Sequence, residues 1–556
     1  MSLQFQLIGL NCRYSHSCLA LFYVRHALEH NVSGARVAME QLTINDPYYA
    51  TLLRISSGEA DVLFFSVYIW NAWYVSRLVH DLAAVNPGRP IILGGPQAPF
   101  IEELPSSCTV VAGEMEGVAD QFYRDLEQGR LQQLYRAESG HPFPFPYREE
   151  DFATLLRNRQ VYYESSRGCP FRCSYCLSSV GRKVGRKDIG VVRQELARIL
   201  AHEPRIIKFV DRTFNDNPER ALEIWRFLAE QPGATRFHFE IAPDRFTEEM
   251  FAFLATVAPE RFQFEIGVQS TDPEILAAVN RRMDVDIAAI NISRLVRLDS
   301  IHLHVDLILG LPLETGESFR ASFNRVFSLA PHYIQMGLLK VLPETPIRRE
   351  VKAHGLVFCR RPPYEILATR WLDHRSVNQL YLLGECVEAF YNNRYFRTVW
   401  KYLNRRGEEP YPFFAGLLAV CEQRRFFELS HTQELLAAML CTFAEQRPDQ
   451  ALLIDLLRYD WLRCGHRFLP SFLEATPLAK LREGLRKTLP PSLDGCYDTR
   501  ERGEFLKRGV FLELSAAAAL HAGLEKRERS TIVCFLPEQT VGVLKHSRVV
   551  LLGDAV

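Results

Sequence analysis

VYYESSRGCPFRCSYCLSSV, residues 161–180, sets Cys169, Cys173 and Cys176 at C-x3-C-x2-C, with Tyr175 just before the last of them. Three thiolates on so short a loop can hold three irons of a cubane iron–sulfur cluster and leave the fourth iron open to an exchangeable ligand. The alternative is a zinc knuckle. A closed zinc site wants four ligands, usually from two paired knuckles, yet the next cysteine is Cys359 and no nearby histidine completes a second pair. The cluster is the expected occupant.

With the preceding Ser166-Arg167-Gly168, the spacing resembles the signature of the radical S-adenosylmethionine superfamily, in particular its cobalamin-dependent branch. The resemblance implies a 4Fe-4S cluster whose unique iron is chelated by the amino and carboxylate groups of S-adenosylmethionine. One electron then cleaves the sulfonium to a 5'-deoxyadenosyl radical.

From this loop onward the apolar runs VYYESS, RIIKFVD, RFHFEI, RFQFEIGV, HLHVDLIL and HYIQMGLLKV alternate with helical stretches. Six strand–helix units predict a partial (β/α)6 barrel of TIM type, whose working residues sit where strands end. The second run ends at Asp211 in VDRTFNDNPER, where Asn215 or Asp216 leads into a helix with Pro218 near its first turn. This segment is similar to the family's acidic-Thr-Phe stretch, with Arg212 where many relatives carry a second acid. The third run ends at Glu240, whose carboxylate can reach the adenosyl sugar or the methionine ammonium, and the fourth at Gln269 and Ser270. The fifth, DLILGLPLET, resembles the Gly-x-Ile-x-Gly segment that contacts adenine through backbone, ending at Gly310. Asp306 replaces its first glycine and Glu314 is shifted by one. Singly, each acid has a plainer reading as a helix cap or a salt bridge; jointly they point to a cofactor site.

Ahead of the barrel, QFQLIGLN, ADVLFFSVYIW, RPIILGGP and CTVVAGEMEG alternate with amphipathic stretches such as HSCLALFYVRHALEHN and VSRLVHDLAAVN. Strands alternating with helices predict an α/β, Rossmann-like, doubly wound parallel sheet that binds ligands at the carboxyl ends of its strands. Ser66, Tyr68, Gly94, Gly95 and Gly113 fall at such ends. The arrangement resembles the cobalamin-binding domain of the branch, with Ser66-Val67-Tyr68 in place of its Ser-x-Leu and Gly94-Gly95 in place of its Gly-Gly pair. The family's Asp-x-His-x-x-Gly motif is missing, and Arg13 stands where the cobalt-ligating histidine would be. The resemblance therefore implies cobalamin without a lower histidine ligand. His16 is a candidate substitute whose plainer reading is a cap or a packed ring. Each glycine also reads as an ordinary turn residue, and the sheet as a Rossmann-like domain without a cofactor.

The predicted organisation is residues 1–135 as the Rossmann-like domain, 136–158 as a linker around the Pro/aromatic alternation HPFPFPY, 159–355 as the barrel, and 356–556 as a mainly helical domain with short terminal strands. At 556 residues, 47% hydrophobic and 24% charged, the chain is globular. Lys+Arg and Asp+Glu are both 66, so net charge favours no nucleic-acid partner. Thirteen cysteines without framework spacing predict packed thiols, Cys359, Cys386, Cys421, Cys441, Cys464, Cys496 and Cys534 among them, in a reducing cytoplasmic setting. No stretch approaches a membrane span. Arg394, Arg397, Lys401 and Arg405 interleave with Tyr395, Phe396 and Trp400. A solvated basic face with aromatics turned inward is the simple reading, an RNA or phosphorylated-substrate surface the other.

The function expected is a radical enzyme with a 4Fe-4S cluster, S-adenosylmethionine and cobalamin, most simply a methyltransferase at an unactivated carbon. It would take a small-molecule substrate and a one-electron donor such as flavodoxin or ferredoxin. The alternatives are a cobalamin-independent or non-methylating radical enzyme performing cyclisation, rearrangement or oxidation, and, from another class, a metal-stabilised scaffold or RNA-binding protein.

Overall fold

Apolar runs too continuous for a sheet with one wet face need cover on both sides, and the first sheet has it. The computed structural model describes residues 3–179, 184–475, 483, 485, 502–524, 529–537 and 547–554. In it β1 (Gln4–Asn11), β2 (Arg36–Thr43), β3 (Val62–Ser66), β4 (Ile91–Gly94), β5 (Cys108–Ala112) and β6 (Leu134–Arg136) form a sheet in the order β2-β1-β3-β4-β5-β6. Every pairing is parallel. β3 is buried throughout, its alternate residues feeding two cores. Leu63 and Phe65 join Val75 and Leu78 of the helix Ala72–Val85, whereas Val62 and Phe64 join Leu21 and Leu28 of the helix Leu19–Asn31.

The sequence pattern shows only four of these six strands. β2 and β6 are edge strands with exposed and half-exposed residues and carry no apolar run. Strand order reverses between β1 and β3, which makes their carboxyl ends the switch point where such sheets bind ligands. Asn71 closes the base of this crevice, its Nδ2 donating to Leu10 O at 3.0 Å and Ser66 O at 2.9 Å.

Residues 140–148 carry no helix or strand, as their alternating prolines require. Beyond them come β7 (Val161–Tyr163), β8 (Ser166–Arg167), β9 (Gly185–Arg186), β10 (Ile206–Phe209), β11 (Arg236–Ile241), β12 (Phe262–Gln269), β13 (His302–Leu309) and β14 (Tyr333–Leu338). Six of them form a sheet in the order β14-β13-β12-β11-β10-β7, and β8 and β9 make a small antiparallel pair. Sequence-adjacent strands lying side by side in parallel give the predicted partial barrel. One face of the sheet is aromatic: Phe237, Phe239, Phe262 and Phe264 are fully buried, and Phe264 lies 5.2 Å from the ring of Trp225 on the helix Pro218–Glu230. The period of two turns Lys208, His238, Glu265 and His304 to the opposite, polar face. There His238 Nε2 meets Glu265 Oε2 at 2.9 Å and Lys208 Nζ lies 3.5 Å from it.

One expectation needs correcting. The helix Pro218–Glu230 is capped by Asn217, whose Oδ1 accepts from Arg220 N at 3.0 Å, and not by Asn215 or Asp216. Asn215 is fully buried instead, clasping Ala242 through its backbone N and O at 2.8 and 2.9 Å.

Residues 1–315 and 338–377 make one compact unit, and residues 316–337 and 378–556 make another. The second is mainly helical, with helices Arg397–Arg406, Pro410–Gln423, Gln433–Ala444 and Gln450–Arg463. It ends in an antiparallel sheet of Val510–Leu514, Thr531–Pro537 and Ser547–Asp554. Phe396 and Trp400 are buried and Lys401 and Arg405 are exposed, while Arg394, Tyr395 and Arg397 are half-buried. The described cysteines are all free, and Cys496 lies outside the described residues.

Candidate active site

The three cysteines follow the carboxyl end of β7 on a loop held from both sides. Asp211, at the end of β10, is 2% exposed, and its carboxylate accepts from Ser165 N at 3.0 Å, Ser165 Oγ at 2.5 Å and Ser166 Oγ at 2.7 Å. Thr213 brings its hydroxyl to 3.5 Å from Cys169 Sγ. From the other side, the segment after the helix Pro273–Ala278 fastens the loop. Val279 O accepts from Ser174 N at 2.8 Å, Asn280 Nδ2 donates to Arg172 O at 2.9 Å, and Arg281 Nη1 lies 3.7 Å from Cys173 Sγ. The sequence reading missed this clamp, because nothing in VNRRM tells a sulfur-facing arginine from a solvated one.

Burial pushes the Cys169 thiol up, and the neighbouring Cys176 and Cys173 add to the shift. Among the described residues, no group of three or more His, Cys, Asp or Glu side chains is placed to hold a single metal ion. A cubane takes each thiolate on a separate iron, and the donor set of three neighbouring thiols, with a guanidinium beside one of them, fits that demand.

Around the mouth, Glu240 is raised to about 7, chiefly by burial and against the pull of Arg212, whose Nη1 lies 4.0 Å away. A carboxyl poised there can hold or release a proton near neutrality. At the carboxyl end of β12 the register slips between Gly267 and Gln269, and Gln269 takes φ +73°. Gln269 Oε1 is buried without a hydrogen-bond partner, as is Asp306 Oδ1. Ser270 is fully buried, and its Oγ accepts from Asp272 N at 3.2 Å, so it shapes the turn. Gly310 sits at φ +85° with its N donating to Glu314 Oε2 at 2.6 Å; a Cβ there would lie 2.8 Å from Ile366.

At the carboxyl ends of the first sheet, Ser66 Oγ is buried without a hydrogen-bond partner. Tyr68 stacks on Trp70 with centroids 4.4 Å apart and planes 5° from parallel, and Trp70 is 45% exposed. The sequence reading passed over this exposed tryptophan beside the strand ends; the W in SVYIWNAW was its signal. Gly94 has open space where a side chain would stand, and Gly95 and Gly113 have φ +99° and +108°. His16 Nδ1 lies 2.6 Å from the Tyr162 hydroxyl, which is the packed-ring reading.

Residues 163–326 match the radical SAM superfamily, and residues 352–490 match a family described as proteins of unknown function, DUF4080. The three cysteines of the first barrel loop fall inside the stretch that matches the radical SAM superfamily. Among similar proteins is the 2-(S-pantetheinyl)-carbapenam-3-carboxylate methyltransferase of Streptantibioticus cattleyicolor, 27% identical over 75% of this chain and 72% of that one. The cobalamin-dependent radical SAM methyltransferase TokK of Streptomyces tokunonensis is 26% identical over 54% of this chain; the chain spans 50% of TokK. The fold is shared with the cobalamin-dependent S-adenosylmethionine radical enzyme OxsB, solved with aqua-cobalamin, at a TM-score of 0.59 and 14% identity over 91% of this chain and 84% of that one. No helix among the described residues is long and apolar enough to cross a membrane.

Proposed function

We propose that this protein is a cobalamin-dependent radical S-adenosylmethionine methyltransferase acting on an unactivated carbon of a small molecule. The observation that carries the reading is the placement of two ligand-binding ends in one compact unit: the switch point of the first sheet and the cysteine loop of the barrel. Bound at these ends, the cluster with S-adenosylmethionine supplies a primary carbon radical, and cobalamin supplies the methyl group.

Cys169, Cys173 and Cys176 hold the cluster, while Asp211, Val279 and Asn280 fix the loop that carries them. Gln269, Asp306, Glu240 and the Gly310 backbone receive S-adenosylmethionine, the two buried unpartnered oxygens at Gln269 and Asp306 awaiting its donors and positive charge. Ser270 acts through the turn it closes. Ser66, Tyr68, Gly94, Gly95 and Gly113, joined by Trp70, line the cobalamin crevice, where missing side chains let backbone approach the ligand. Residues 1–135, 159–355 and 356–556 act as crevice domain, barrel and accessory domain. A flavodoxin or ferredoxin in a reducing cytoplasm delivers the electron.

Anaerobic turnover with S-adenosylmethionine and cell extract, read by mass spectrometry, tests the assignment. 5'-Deoxyadenosine together with S-adenosylhomocysteine is the expected pair. The first alone moves the reaction to rearrangement or oxidation, and neither product sinks the radical reading.

A further inference from the structure

We propose that Arg167 is the positioning residue that fastens the cluster loop to the rim of the first sheet's crevice and so fixes the spacing of the two cofactor sites; the inference rests on the function proposed above. Arg167 lies two residues before Cys169, and Gly168 between them has φ +94°, a conformation glycine adopts at little cost. The chain turns sharply between anchor and first thiol. Each nitrogen of the guanidinium is engaged: Nε donates to Glu164 Oε2 at 2.8 Å, Nη1 to Glu114 Oε2 at 2.9 Å and Nη2 to Glu116 Oε1 at 2.9 Å. Its carbon also lies 4.3 Å from the ring centroid of Phe143 and 4.8 Å from that of Tyr23, whose hydroxyl donates to Glu164.

The side chains of Arg167 and Glu116 are 14% and 10% exposed, which removes this pair from the screening that leaves surface ion pairs weak. A rigid fork of five donors suits three carboxylates arrayed around it, whereas a lysine ammonium is a single point.

The far end of the connection is stiff. A Cβ at Gly113 would lie 2.9 Å from Ala137 Cβ, and one at Gly117 would lie 1.9 Å from Glu138 O. Glu138 N donates to Gly117 O at 2.8 Å. The turn holding Glu114 and Glu116 is thus pressed onto the segment that continues β6, and it starts at Gly113, a crevice residue. Arg167 joins two rigid pieces separated by about fifty residues of chain, and a misplacement of about 1 Å between reacting groups can cost on the order of a hundredfold in rate.

The test is Arg167→Lys in the full-length, anaerobically reconstituted protein, with Glu116→Gln approaching the same contact from the other side. Expected for Arg167→Lys are iron held at about four per chain, faster amide hydrogen exchange at both 113–117 and 168–176, and an about hundredfold fall in methylated product per 5'-deoxyadenosine. Glu116→Gln reproduces the exchange change. Unaltered exchange at 113–117 overturns the proposal, and so does iron loss with exchange raised along the whole chain, which makes Arg167 a folding residue only. A wild-type protein that forms no 5'-deoxyadenosine defeats the proposed function, while the exchange pattern still decides the fastening by itself.

Discussion

Arg281 Nη1 stands 3.7 Å from Cys173 Sγ, and Arg281 Nη2 is bonded to Gly267 O, so one guanidinium spans a cluster thiol and the bulge at the end of β12. Positive charge and hydrogen bonds at a ligand sulfur favour the reduced cluster. Arg281→Met is expected to lower the reduction potential by tens of millivolts without changing iron content, as read by a potentiometric titration followed by electron paramagnetic resonance.

Replacing Cys169, Cys173 and Cys176 together by Ala is expected to abolish iron binding and 5'-deoxyadenosine formation. The loop lies at the barrel mouth outside the aromatic core, so the melting temperature of the iron-free protein should move by only a few degrees. A collapse of the fold in calorimetry would show that the cysteines serve structure.

Glu314 is fully buried with its carboxyl raised to about 8, chiefly by burial, against the backbone N–H of Gly310. The folded state therefore keeps a proton that the unfolded state has lost between about pH 4.5 and 8, and the linkage makes stability fall as pH rises through that window. Glu314→Gln, neutral at every pH, is expected to remove a pH-dependent component on the order of 3–5 kcal/mol. Urea unfolding at pH 5 and pH 8.5 measures it.

Gly95 combines φ +99° with a Cβ position 2.6 Å from Val67 O. Gly95→Ala is expected to cost about 2 kcal/mol or more, since backbone cannot yield as a side-chain tip can. Spectroscopic titration with hydroxocobalamin should show weakened retention beside that loss, while Gly94→Ala, with open space at its Cβ, keeps the stability.

The cysteine loop and the six barrel strands were readable because their signals are local: a spacing of three and two residues, and apolar runs of period two. β2 and β6 were not, since edge strands bury little and leave no apolar run. The same limit hid Arg281, Asn280 and Trp70, whose importance comes from what stands opposite them and not from their neighbours in sequence. Asp211 shows the converse. Its position at a strand end suggested a cofactor contact, whereas its three bonds run to Ser165 and Ser166 in the loop that carries the cysteines. The cap of the helix Pro218–Glu230 was misjudged by one or two residues because Asn215, Asp216 and Asn217 are chemically near-equivalent, and only burial separates them.

The grip of Glu114 and Glu116 on Arg167 also sets an order of maturation. Those two acids are synthesised before the barrel and belong to a sheet whose strands all precede residue 137, so the first sheet can be complete while the barrel is still emerging from the ribosome. The loop of the three thiols then meets a ready-made anchor as it appears, in a geometry that the first quarter of the chain has already dictated.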